Sequence, residues 1–112
     1  EIIAYLIEER YVDNQRYANS YTKDKFRFNH WGKYKISMML RSKDIDNDII
    51  EEAMSQIEEE EYLEKLQQIL KDKLRSLKYS SEYEKKGKLF KFAQSRGFES
   101  SAISKVIQKI II

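Results

Sequence analysis

The chain has 112 residues, 36% of them charged, with no cysteine and no proline. The missing cysteine excludes disulfides and thiolate metal sites and fits a reducing, cytoplasmic setting, and no stretch has the apolar length of a membrane span. A net charge of +2 at pH 7 understates the electrostatics, because like charges are gathered into blocks, and the absence of proline favours a mostly helical, well-solvated chain.

Taken in order, residues 1–9 read as a short helix with Ile3, Leu6 and Ile7 as its apolar stripe. The chain enters it in mid-helix, so it is expected to be the end of a truncated preceding unit. Asp13 is the candidate N-cap of a second helix that places Tyr17, Ala18, Tyr21 and Phe28 on one buried face and ends near Asn29. Asn29-His30-Trp31-Gly32 then breaks the periodicity. His30, the only histidine, has no cysteine companion and reads as a turn residue rather than a metal ligand or general base, while Trp31 closes a gap between helices. A third helix is expected over 33–42. A fourth follows over 46–57, started by Asp46, Asn47 and Asp48, whose side chains accept from free N–H groups and suit the helix dipole.

The Glu58 to Glu61 run lacks the Asp/Gly spacing of a calcium loop and reads as the solvated start of a longer fifth helix. Tyr62, Leu63, Leu66, Ile69, Leu70 and Leu74 recur along that helix at helical spacing. Ser81 and Glu84 form a capping box for a sixth helix bearing Leu89, Phe92 and Ala93. Gly97 supplies the left-handed residue that ends it, and a last helix starts after Ser100 and Ser101. Its end, Ile110-Ile111-Ile112, is either an exposed apolar face or the edge of the last core.

Two of these stretches are one unit written twice, 53 positions apart. Ile49, Ile50, Ala53, Met54 and Ile57 fall in register with Ala102, Ile103, Val106, Ile107 and Ile110. Upstream, Lys33, Lys35, Ile36, Met39, Leu40, Ser42, Lys43 and Ile45 align with Lys86, Lys88, Leu89, Phe92, Ala93, Ser95, Arg96 and Phe98. The expected fold is therefore all-α, a tandem of three-helix units in which a long helix is followed by two short ones around an apolar plug, Ile45 or Phe98. Stacked units of this kind present an extended surface to a large partner. Residues 13–57 and 58–112 would be the two complete units, preceded by the unit end at 1–12.

Charge is gathered into blocks along the chain. Residues 23–44 are basic, 46–64 carry only acids, and 65–91 return to basic. The chain holds no nucleophile–base pairing, glycine-rich phosphate loop or catalytic metal motif, so neither enzymatic activity nor a cofactor is expected.

Val12-Asp13-Asn14-Gln15-Arg16-Tyr17-Ala18, Gly32-Lys33-Tyr34-Lys35-Ile36, Leu40-Arg41-Ser42-Lys43-Asp44-Ile45 and Arg96-Gly97-Phe98, in this order and spacing, resemble the RecX regulatory proteins of bacteria. Two positions depart from that pattern: Asn14 stands where the family has a second aspartate, and Asp44 stands where it has glycine. Aspartate tolerates the left-handed backbone better than most residues. The resemblance implies a curved, basic-faced array of three-helix units that binds the RecA recombinase, as a filament on DNA, and damps its ATPase and recombinase activities. The contacts it suggests here are Lys23, Arg27, Lys33, Tyr34, Lys35, Arg41 and Lys43 in the first complete unit and Lys86, Lys88, Lys91 and Arg96 in the second. Tyr34 is included because it lies between two lysines and is expected to be exposed.

The alternative is a helical module acting directly on DNA through phosphate contacts. Against a helix-turn-helix mode stands the sequence Asp46-Asn47-Asp48-Ile49-Ile50-Glu51-Glu52, which would aim acids at the major groove.

Overall fold

In the computed structural model, which describes the backbone of residues 2–111 and the side chains of residues 8–110, the chain forms six α-helices with no strand among the described residues. They are α1 (Ile2–Arg27), α2 (Lys33–Ser42), α3 (Asn47–Ser55), α4 (Glu59–Ser76), α5 (Glu82–Ser95) and α6 (Ser100–Ile111). In the first trio α1 packs on α3 and α2, and in the second α4 packs on α6 and α5. The molecule measures 66 × 23 × 21 Å, with a radius of gyration of 17.3 Å. A compact chain of this length would have a radius of gyration of about 13 Å. The tandem is thus an elongated rod.

The first helix departs from expectation. α1 runs without interruption through Asp13, which sits inside the helix and caps nothing. Its buried face is Ala18, Thr22 and Phe26, at successive i, i+4 positions, whereas Tyr17 is 45% and Phe28 77% exposed. Tyr21 lies between, packed against the core edge. The chain ends α1 through His30, whose φ of +58° turns the backbone so that the Trp31 N–H donates to the Lys25 carbonyl at 3.1 Å. Ile3, Leu6 and Ile7 lie outside the described side chains.

The repeated turn is reproduced bond for bond. After α2, the N–H groups of Lys43, Asp44 and Ile45 donate to the carbonyls of Leu40, Arg41 and Leu40. After α5, those of Arg96, Gly97 and Phe98 donate to Ala93, Gln94 and Ala93. Asp44 and Gly97 both take the left-handed backbone, with φ of +62° and +92°. Ile45 and Phe98 plug the turns, and Ile49, Ile50 and Ala53 are buried at the same register as Ala102, Ile103 and Val106. Burying each large aliphatic side chain contributes roughly 1.5–3 kcal/mol.

The units differ in one turn of helix. α2 has 10 residues and α5 has 14, so Lys33 opens its helix while Lys86 lies a full turn inside. The extra turn lies at the N-terminal end of α5, upstream of the aligned positions, so the apolar face still matches downstream. Ser81 caps α5 as expected, accepting from the Glu84 N–H at 3.1 Å, and Glu84 returns to Ser80 rather than to the cap residue. Hydrogen bonds from Ser80 and Lys88 pull the Glu84 carboxyl down to about 2. Asp46 occupies the N-cap of α3 with no side-chain bond; Asp48 instead accepts from the Ile49 N–H and from the Tyr11 hydroxyl. Ile110 packs against the core, and Ile111 and Ile112 lie outside the described side chains.

Candidate partner-binding surface

The two trios meet at a joint made by backbone. The Gly32 N–H donates to the Arg96 carbonyl at 2.7 Å and the Tyr34 N–H to the Gly97 carbonyl at 3.0 Å. Between them, the Lys33 N–H donates to the Tyr62 hydroxyl at 2.9 Å. The free N–H groups at the start of α2, which has no side-chain cap, are thereby satisfied by the opposite unit, and the carbonyl end of α5 faces the amide end of α2. Tyr62 also donates to the Glu99 carboxylate, and its ring stacks between Phe26 at 5.7 Å and Phe98 at 5.2 Å. Burial and then the Glu99 bond push the Tyr62 phenol far up, so it stays protonated and can donate.

This approach requires two glycines. A Cβ on Gly32 would stand 2.4 Å from the Gly97 carbonyl carbon, and one on Gly97 would stand 2.2 Å from the Lys35 Cβ.

Basic and aromatic side chains line the first unit up to this joint. Tyr17 and Tyr21 lie 5.8 Å apart; Lys25 reaches over both Tyr21 and Trp31, Lys35 over Trp31 at 4.6 Å, and Lys43 over Tyr21 at 5.8 Å. Each such cation–aromatic contact contributes about 0.5–1 kcal/mol at an exposed site and holds the ammonium in place. Lys35 and Lys43 thus share one strip with Lys25, a residue the sequence reading passed over. Lys33 is half-buried, its ammonium 4.7 Å from the Tyr62 ring, which makes it part of the joint. Lys23 and Tyr34 are exposed, Tyr34 at 61%. Arg27 is tied to Glu61 at 3.7 Å, and Arg41 donates to Asn47 at 3.2 Å.

In the second unit the expected contacts fall into two places. Lys86, Lys88 and Lys91 flank a shallow groove of about 590 Å³ on α5 whose apolar lining is Tyr83, Gly87 and Phe90. Lys88 is engaged there by Glu84 at 2.9 Å and by the Lys78 carbonyl. Arg96 lies at the joint instead, over the Phe92 ring at 5.2 Å. Trp31, Lys65 and Lys73 also belong to this surface; the sequence reading had Trp31 closing a gap between helices and the two lysines only as part of a basic block.

Residues 13–54 match the family model for the second three-helix domain of RecX, and residues 59–107 match that for the third. The chain belongs to the RecX family. Among curated relatives, the regulatory protein RecX of Clostridium botulinum strain Eklund 17B is 32% identical over 97% of this chain and 51% of its own length. That of Oceanobacillus iheyensis is 29% identical over 98% of this chain and 40% of the relative. The chain therefore spans about half the length of the curated relatives it matches. The crystal structure of RecX from Lactobacillus salivarius superposes with a TM-score of 0.83 at 26% identity, covering 97% of this chain and 71% of that one. Among the described residues, no helix is long and apolar enough to cross a membrane.

Proposed function

We propose that this chain is the filament-binding part of a RecA regulator: it docks on RecA assembled on DNA and lowers its ATPase and recombinase activities. The observation that carries this reading is the strip of lysines and aromatics on the first unit, held rigid against the second by the Gly32–Gly97 joint. A rod 66 Å long with one fixed array of cations is suited to a repetitive partner, and charge complementarity contributes mainly orientation and association rate. The partner contacts are Lys23, Arg27, Tyr34, Lys35, Arg41 and Lys43, with Lys86, Lys88 and Lys91 engaging separately through α5 and with Lys33 and Arg96 acting at the joint. The units divide functionally at 1–12, 13–57 and 58–112, and the protein works in the cytoplasm without a cofactor.

The test uses residues that leave the joint alone. Lys23, Arg41 and Lys43 are exposed, so reversing all three to Glu leaves the fold intact and is expected to abolish inhibition of RecA-dependent ATP hydrolysis on single-stranded DNA. Reversal of Glu58 and Glu60 to Lys is the control and has a weaker effect. Full inhibition by the folded triple variant overturns the assignment. Co-sedimentation with RecA–DNA filaments against bare DNA separates this reading from the direct DNA-binding module, whose weakness is the acidic start of α3.

A further inference from the structure

At the joint, on the side of α4, lies a cleft of about 340 Å³ built from both units. Ile69 and the Phe92 ring line its apolar part, and His30, Lys65, Lys73 and Arg96 bring four basic groups to its walls. Lys73 and Arg96 are both seated on the Phe92 ring, at 4.9 and 5.2 Å from its centre, so one aromatic platform positions two cations. Among the described residues, Lys65, Lys73 and Arg96 have no carboxylate partner within ion-pair distance, and the one acid of the cleft, Asp72, is 3.6 Å from Arg75. Like charges gathered without a counter-ion repel one another, and an arriving anion relieves that repulsion.

We propose that this cleft binds a phosphate group, held by the fork of Arg96 and the ammonium groups of Lys65 and Lys73, with His30 taking up a proton as the anion arrives. Phosphate fits because its oxygens accept from a planar guanidinium and from several point donors at once. The groups facing His30 are Lys65 and Asp72 from α4 and Arg96 from the end of α5. Partial burial, followed by the charges of Lys65 and Arg96, holds the imidazole below its ordinary value, and Asp72 opposes this only weakly. In the free protein His30 is therefore neutral at pH 7. The Arg96 carbonyl already accepts the Gly32 N–H, so a phosphate on the Arg96 side chain would also fasten the joint. Its source is either a free nucleotide or the backbone of a nucleic-acid strand.

Because His30 is the only histidine, its ring protons give a single titration curve by NMR in the unmodified protein. Adding pyrophosphate at constant ionic strength is expected to raise the His30 midpoint by about half a pH unit or more, roughly a threefold gain in proton affinity. Lys65→Gln with Arg96→Gln should remove the rise, whereas Lys105→Gln with Lys109→Gln, an equal charge change outside the cleft, should keep it. Repeating the titration with ADP and with a short oligothymidylate assigns the source: a response to the oligonucleotide at lower phosphate concentration marks a strand, and an equal response marks a free nucleotide. An unchanged midpoint in pyrophosphate overturns the proposal, as does a rise that sodium chloride reproduces or one that only an acidic peptide evokes. No RecA is present, so failure here leaves the proposed regulatory role standing on its own test.

Discussion

The turn after α2 and the turn after α5 have the same hydrogen bonds and the same left-handed residue, yet one uses Asp44 and the other Gly97. Asp44 is exposed at the outer end of its unit, so its side chain has room and only the backbone penalty remains. Gly97 is buried against Lys35, where a Cβ would overlap the neighbouring unit. Identical local geometry thus carries different sequence requirements, because only one copy of the turn serves as a joint.

The largest effects should come from closing that joint. Gly32→Ala and Gly97→Ala each force backbone apart and are expected to cost about 3 kcal/mol or more, at the upper end for single changes, while Asp44→Ala, whose aspartate already bears most of the left-handed penalty, costs about 1 kcal/mol or less. Chemical denaturation of the three variants makes the comparison; equal losses would erase the distinction between the turns. Ile50→Ala and Ile103→Ala, which truncate matching buried sites in the two units, should each cost about 2–5 kcal/mol by the same measurement.

Tyr62→Phe keeps the stacked ring but leaves the Lys33 N–H and Glu99 without their partner, and a loss of about 1–3 kcal/mol is expected. Thermal melts of this variant against wild type isolate the polar part of the joint from its packing. The smallest change should be a gain. The Thr22 hydroxyl is the one buried side-chain polar atom without a hydrogen bond among the described residues, so Thr22→Val should stabilise the first unit by about 1 kcal/mol. A loss of stability in that variant would mean the hydroxyl is satisfied.

The five later helices, the Ser81 cap and the 53-residue register were legible because each rests on local signals: apolar periodicity, Ser81 with Glu84, and a left-handed turn residue. α1 was misread because the capping chemistry of Asp13 is a local preference that a continuous helix overrides, and because Tyr17 and Phe28 are large apolar groups left partly in water. The added turn of α5 was legible in the Ser81–Glu84 capping box, which starts that helix ahead of Lys86, the position matching Lys33. On the candidate surface, exposure of Lys23, Tyr34, Arg41 and Lys43 followed from charge and position. The roles of Gly32, Lys33 and Tyr62 did not, since they depend on contacts between residues about 30 to 65 positions apart, which no local pattern encodes.

Amide hydrogen exchange at the joint tests most directly whether the two units form one body. If they do, the Gly32, Lys33 and Tyr34 amides, bonded to Arg96, Tyr62 and Gly97, exchange as slowly as Ile36 within α2, and Gly97→Ala releases them selectively. Exchange of those three amides at the rate of exposed loops, with α2 itself still protected, would contradict the joint.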